Sequence, residues 1–288
     1  MGLRRAAEEL SAPLPALLAE ARRLAAAVIW GDHGQRRAGM GDEFWQYRPA
    51  TSMDGVRRID WRRSARTDAH FVRQTERQLA QSVLCWVAEG LSMRFTGDPA
   101  RPEKGARARL LGLAASILLI RAGERVGLVA LDDRPRTGEA QVMRLAEAMT
   151  RSNGAEDHSV PRAWTISPGS RAVFLSDFMG DLAPIERSLT QAADRGVSGA
   201  LLQILDPVEE VFPFAGRTLF ESMSGAISHE TLKASGLRDR YLDRLAARKD
   251  RLSRISLQTG WHYTRHRTDA PAQGALLWLY RALERVRR

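Results

Sequence analysis

Oxygen-bearing side chains stand at three points where the sequence could hold chemistry: Ser92, the pair Asp132-Asp133, and Ser176-Asp177. Carboxylates and hydroxyls are hard ligands suited to a divalent cation such as Mg²⁺. Each group follows an apolar run, and in an open α/β sheet ligands gather beyond the carboxyl ends of the strands. Asp177 has a competing role as the cap of a helix beginning near residue 182. If Asp132, Asp133 and Asp177 converged, they would suit a metal-assisted hydrolase.

Other catalytic patterns are missing from the sequence. The first buried run is followed by Ala88-Glu89-Gly90-Leu91-Ser92-Met93, not by G-x-G-x-x-G, and no G-x-x-x-x-G-K-[ST] occurs, which disfavours dinucleotides and P-loop nucleotides. Gly90-Leu91-Ser92-Met93-Arg94 lacks the last glycine of a nucleophile elbow. His262 and His266 fall in a predicted strand, where positions four apart share a face but lie about 13 Å from each other, too far for one metal. Cys85 is the one cysteine and sits in an apolar run, which excludes an intrachain disulfide and a cysteine zinc cluster and makes a reactive thiol a poor expectation. No catalytic residue is expected, and the chain reads as a non-enzyme.

The elements that must position these residues alternate. Apolar runs at 82–87, 126–131, 172–175 and 199–205 read as buried parallel strands, with a further short strand at 261–266. Helical periods cover 107–122, 139–149, 182–195, 229–259 (closed by Gly260) and 273–286. An amphipathic helix starts near Pro15 and runs to about Trp30. The β-α-β order predicts a doubly wound, mainly parallel α/β sheet over 79–288, preceded by an N-terminal region, 1–78, made of that helix and an irregular segment. The 288 residues, 44% hydrophobic and 27% charged, are enough for a real core and exclude a mainly disordered chain. The longest apolar run, about 11 residues from Leu110 to Ile120, is short of the roughly 20 that span a bilayer. The N-terminus lacks the uninterrupted apolar stretch of a signal peptide, so a cytoplasmic location is expected.

With 44 Lys+Arg against 34 Asp+Glu the formal charge is +10, and only Lys104, Lys233 and Lys249 are lysines. A positive field speeds encounter with any acidic partner without choosing among them. The densest group, Arg57, Arg58, Arg62, Arg63, Arg66, Arg73 and Arg77, could meet phosphates, although no helix-turn-helix, zinc finger or RNP pattern accompanies it. These arginines belong to an irregular stretch rich in Trp, Tyr, Arg and Asp. Such a stretch suits hydrogen-bonded and cation–π contact at an interface. It equally suits an intramolecular clamp in which Asp54 and Asp60 pair with arginines, and on that reading Asp60 and Trp61 should be substantially buried.

Glu43-Phe44, Tyr47-Arg48-Pro49, Asp54, Arg57-Arg58-Ile59-Asp60-Trp61, Ser64-Ala65-Arg66 and Val72-Arg73, in that order and spacing, resemble the hallmark of the family called domain of unknown function 58. The blocks Leu205-Asp206-Pro207-Val208-Glu209-Glu210 and Gly236-Leu237-Arg238-Asp239-Arg240-Tyr241 look like the later blocks of that family. The resemblance implies a von Willebrand factor A-like, Rossmann-type domain. It also implies a metal-ion-dependent adhesion site, D-x-S-x-S after the first strand with a later Thr and Asp. The aligned positions here are Ala88, Gly90 and Ser92, so the site is degenerate, with Ser92 and Asp177 as remnants, and no tight metal is expected, at most weak Mg²⁺ binding. The resemblance further implies an adaptor role beside a MoxR-type AAA+ ATPase in the assembly of protein complexes. Glu43, Tyr47, Arg48, Asp54, Arg57, Arg58, Asp60, Trp61, Ser64, Arg66 and Arg73 then form the interface. No cofactor is implied, and attachment to a membrane would run through partners. The alternative reading is a nucleic-acid-associated factor using the Arg57–Arg77 cluster.

Overall fold

A computed structural model describes residues 13–32, 44–50, 59–65, 69–75, 81–131, 134–151, 154–162 and 166–283. The chain divides into two compact units, residues 1–34 with 81–288, and residues 35–80.

The larger unit holds α1 (Pro13–Asp32). In the smaller unit lie β1 (Phe44–Pro49) and β2 (Phe71–Thr75). The larger unit then resumes with β3 (Ser82–Val87), α2 (Lys104–Arg121), β4 (Arg125–Leu128), α3 (Glu139–Arg151), β5 (Arg171–Ser176), α4 (Leu182–Asp194), β6 (Ser198–Leu205), α5 (Pro207–Val211), β7 (Thr218–Glu221), β8 (Ser228–Thr231), α6 (Arg238–Thr259), β9 (His262–Arg267) and α7 (Ala272–Leu283). Its central sheet has five strands in the order β4-β3-β5-β6-β9, and every neighbouring pair is parallel. From β3 the chain first steps one way to β4 and then returns to β5, β6 and β9. The order therefore reverses between β3 and β5, which is where a doubly wound sheet opens a crevice.

Burial explains the near-continuous apolar strands, since Val83–Val87 and Ala172–Ser176 are all buried. Helix α2 is apolar almost all round because it packs against the sheet and also against α1, α3 and α7. The Leu110–Ile120 run is thus a core helix, and among the described residues no helix is long and apolar enough to cross a membrane. Gly199 is required where β6 meets β5: a Cβ there would lie 1.9 Å from the Ala172 carbonyl oxygen. The Trp261 ring fills the adjacent space, and its indole N–H donates to Val197 O at 3.2 Å.

Four expectations need correction. Helix α1 belongs with the α/β unit and not with an N-terminal region ending at 78, because Ala21, Ala25 and Val28 are buried and the helix packs on α2, α3 and α7. The alternating residues Phe71-Val72-Arg73-Gln74 do form a strand, β2, but the irregular stretch before them supplies a second one, β1, that pairs with it antiparallel. The fourth strand is shorter than 126–131, because Val129–Leu131 turns into a 3₁₀ helix. The long helix begins at Arg238 and not at 229. Ser228–Thr231 instead pairs with Thr218–Glu221 as a hairpin, with Gly225 at φ 74° in its turn, and Ala234–Leu237 forms a 3₁₀ turn.

Candidate functional site

The crevice between β3 and β5 is built from the residues just beyond each strand. After β3 the chain runs through Ala88 and Gly90 into a short 3₁₀ turn, Leu91–Arg94. After β5 comes Asp177, then Phe178 in the left-handed region at φ 49°. Arg248 of α6 fixes this turn by donating to the carbonyl oxygens of Phe178 and Gly180, each at 2.6 Å. A third strand end adds α5, whose start is a capping box: Asp206 accepts from Val208 N at 2.8 Å and Glu209 Oε2 accepts from Asp206 N at 2.9 Å. The Thr268 hydroxyl, past β9, donates to Asp206 Oδ2 at 3.2 Å, and Arg101 donates to Asp206 Oδ1 at 3.3 Å.

Lys104 joins these strand ends. Its side chain is 1% exposed, and its ammonium donates to Asp177 Oδ2 at 2.9 Å and to Glu209 Oε1 at 2.5 Å. It also lies 5.5 Å from the centre of the Phe95 ring, within reach of a cation–π contact. A cation in the first turn of a helix opposes the helix dipole, so its place depends on the two carboxylates. Burial works against the charge, but Asp177 and Glu209 outweigh it and hold the Lys104 pKa above its ordinary value. For Asp177, burial is outweighed by the Lys104 charge, with hydrogen bonds from Lys104, Met179 N and Ser92 adding to it, and its pKa falls. For Glu209 burial prevails over Lys104 and the pKa rises.

A cleft of about 190 Å³ lies over this turn, lined among others by Ala88, Gly90, Ser92, His158, Ser176 and Asp177. The 154–160 segment covers it: Leu91 N donates to Glu156 O at 2.8 Å and Ser92 N to Asp157 O at 2.9 Å. Asp157 in turn accepts from Ser224 N at 2.8 Å and from the Ser224 hydroxyl at 2.7 Å, which ties down the tip of the β7–β8 hairpin. A larger cavity of about 380 Å³, beside the ends of β3 and β4, has an apolar floor that includes Cys85, Leu128 and Met149. Glu89, Arg109, Arg144 and Glu147 also line it, while burial pushes the Cys85 thiol up to about 12.

The residues present do not fit the adhesion-type metal. Ala88 and Gly90 offer no side-chain oxygen, and a Cβ at Gly90 would meet Asp157 O at 2.5 Å, so no hydroxyl could stand there without moving the covering segment. Both oxygens of Asp177 and both of Glu209 already accept hydrogen bonds. Among the described residues no group of three or more His, Cys, Asp or Glu side chains could hold a metal. Asp177 is not the helix cap either; Asp181 caps α4, accepting from Ala183 N at 3.0 Å. Asp132 and Asp133 lie outside the described residues. His262 and His266 sit in β9, and His266 is buried beside Arg107 rather than shared with His262.

In the smaller unit the ladder pairs Tyr47 with Arg73 and Arg48 with Val72. Asp60 N donates to Phe71 O at 2.8 Å, and the Ser64 hydroxyl donates to Asp60 O at 2.8 Å while accepting from Phe71 N at 3.0 Å. Asp60 and Ser64 thus splice the Trp61–Ser64 turn onto β2. Trp61 is not buried as expected but 54% exposed, because the side chain this turn buries is Ser64; its ring meets His70 edge-on at 5.4 Å. Asp60 is half-buried and Arg62 exposed. Glu43, Asp54, Arg57, Arg58 and Arg66 lie outside the described residues.

Sequence reasoning alone does not mark Lys104, Glu209 or Asp206 for chemistry. Two signals could have found them: a lysine kept in a chain that otherwise uses arginine, and the capping pattern Asp206-Pro207-Val208-Glu209.

No curated protein matches the chain. Among solved structures, the crystal structure of conserved hypothetical protein BatB from Bacteroides thetaiotaomicron is similar with 14% identity and a TM-score of 0.35, over 69% of this chain and 96% of that one. A likeness that loose carries no argument. The family described as protein of unknown function DUF58 matches residues 46–251, which include the 60–64 splice, the strand-end lysine and the capping box. The chain belongs to the DUF58 family.

Proposed function

We propose that this protein is a protein-interaction module, an adaptor whose α/β sheet is of the von Willebrand factor A-like kind and which presents the face beyond the strand ends to a partner. The β7–β8 hairpin carries this reading. It leaves Leu219, Met223, Ile227 and Leu232 exposed, the last at 79%, while its tip is tied through Asp157 to the segment covering the crevice. Exposed apolar side chains in and next to one hairpin favour contact with another protein. The described strand-end carboxylates point the same way, since Asp177, Asp206 and Glu209 are engaged in internal bonds and serve structure rather than turnover. Exposed Trp61 adds an aromatic contact point, of the type enriched at interfaces. The partner that the family resemblance suggests is a MoxR-type AAA+ ATPase, met in the cytoplasm, with no cofactor required.

The test is direct binding between the purified full chain and a MoxR-type ATPase from the same source. Leu219→Asp with Ile227→Asp changes exposed positions only, so the fold should persist while affinity falls by about tenfold or more, the scale of losing apolar contacts at an interface core. Absence of binding, or binding indifferent to the hairpin changes, overturns the reading. Salt-steep binding to arbitrary duplex would favour the nucleic-acid alternative.

A further inference from the structure

We infer that the ammonium of Lys104 is a built-in cation, occupying the place where the carboxylates of the switch-point crevice would otherwise gather a divalent metal ion. The inference does not depend on the adaptor reading. Three strand ends contribute: Asp177 follows β5, Glu209 belongs to α5 after β6, and Ser92, in the turn after β3, lines the same cleft as Asp177. Two carboxylates brought together in a buried place need a counter-charge, and a hydroxyl completes a donor set that suits a hard cation. A metal ion would supply that charge from solution. Here it arrives on a side chain, 1% exposed, with the ammonium 2.9 Å from one carboxylate and 2.5 Å from the other.

The choice of lysine supports this. The chain uses arginine for all but three of its 44 basic residues, yet this one is lysine. A compact ammonium approximates a point charge reached from several sides, whereas the planar guanidinium fork needs acceptors in its own plane. The surroundings have closed accordingly. The covering 154–160 segment lies so tightly on Gly90 that a hydroxyl-bearing side chain there would have to lift it, and Ala88 leaves no oxygen at the strand end. The crevice is therefore held together by a charge that cannot dissociate, and it should be indifferent to chelators and to metal supply.

Removing the ammonium while keeping the carboxylates should convert the place into a metal site. In the full chain, Lys104→Ala leaves Asp177 and Glu209, the two carboxylates that held the ammonium, facing a vacated volume. The expected results are a lowered melting temperature, partial recovery with millimolar MnCl₂, and binding of one Mn²⁺ per chain at an affinity at least about tenfold above that of the parent chain, because added ligand charge strengthens a hard-cation site. Lys104→Ala with Asp177→Asn should lose the Mn²⁺ response. The parent chain should show no shift with MnCl₂ or EDTA. If Lys104→Ala folds poorly, refolding with MnCl₂ against EDTA decides, and equal failure in both counts against the inference. Tight Mn²⁺ binding by the parent chain, or a folded Lys104→Ala blind to Mn²⁺, would overturn it.

Discussion

Lys104 Nζ stands 2.9 Å from Asp177 Oδ2 although 73 positions separate the two residues, and both side chains are almost wholly buried. The contact ties the start of α2 to the end of β5. Breaking a buried pair by deleting one partner leaves an uncompensated charge, so Asp177→Ala should cost about 3 kcal/mol in urea unfolding. Asp177→Asn, which keeps the shape and one acceptor, should cost less. A pair this enclosed also has a pH signature. The Asp177 pKa is depressed, so its contribution is present above the unfolded carboxylate value and is lost as pH falls through the folded one. The Lys104 pKa is raised, so its contribution is complete below the unfolded lysine value and is lost as pH rises through the folded one. Equal stability of Asp177→Ala and the parent at neutral pH would remove the pair from the account.

His266 supplies a separate acid sensitivity. It is 6% exposed, its Nε2 faces Arg107 Nη1 at 3.4 Å, and burial first, then the Arg107 charge, pushes its pKa down to about 4. Asp269 opposes this weakly. The folded state therefore holds neutral histidine while the unfolded chain takes up the proton below about 6.5. Stability from this group is present above 6.5 and is lost as pH falls toward 4, by roughly 3 kcal/mol at 1.36 kcal/mol per pKa unit. His266→Gln should flatten the slope of stability against pH in that window relative to the parent. Parallel slopes would show that carboxylates alone cause the acid loss.

The parallel strands were legible in the sequence because burial on both faces leaves an apolar run with turn residues around it; Ser82–Val87 and Ser198–Leu205 show this. The β7–β8 hairpin was not, because His229-Glu230-Thr231 is polar and lies next to a helix whose own pattern is also polar, so no period marks the join. The strand-end carboxylate Asp177 could be picked out by its position after an apolar strand. Its partner could not, since Lys104 is polar in sequence and becomes a core residue only through contacts 73 and 105 positions away. The exposure of Trp61 was misjudged for a related reason: in a turn of four residues the inward direction is set by the hydroxyl that bonds the backbone, here Ser64, and not by the largest apolar side chain.

Cys85 should be inert in the native state. It is 4% exposed in β3, and burial alone raises its thiol to about 12. The thiolate is the reactive form, so a disulfide reagent at pH 8 should label the folded protein only as fast as it opens, and at once in denaturant. Rapid stoichiometric labelling of the folded chain would mean that the cavity beside β3 and β4 admits reagents to that strand.

Gly90 separates two explanations for the absence of a hydroxyl at this strand end. If the hydroxyl is missing only because nothing requires it, Gly90→Ser should be tolerated and Gly90→Ala should be no better. The geometry says otherwise: a Cβ at this position meets Asp157 O at 2.5 Å and His158 Cα at 2.8 Å, both of them backbone atoms that cannot rotate away. Any side chain must lift the 154–160 segment and strain the hydrogen bonds from Leu91 N to Glu156 O and from Ser92 N to Asp157 O, at 2.8 and 2.9 Å. Overpacking of this kind typically costs about 1–3 kcal/mol. Gly90→Ala and Gly90→Ser should therefore lose similar stability in urea unfolding, because the clash is at Cβ and the hydroxyl adds nothing. A Gly90→Ser chain as stable as the parent, with Gly90→Ala destabilised, would show that an oxygen still finds a partner in the crevice and that the covering segment does not exclude one.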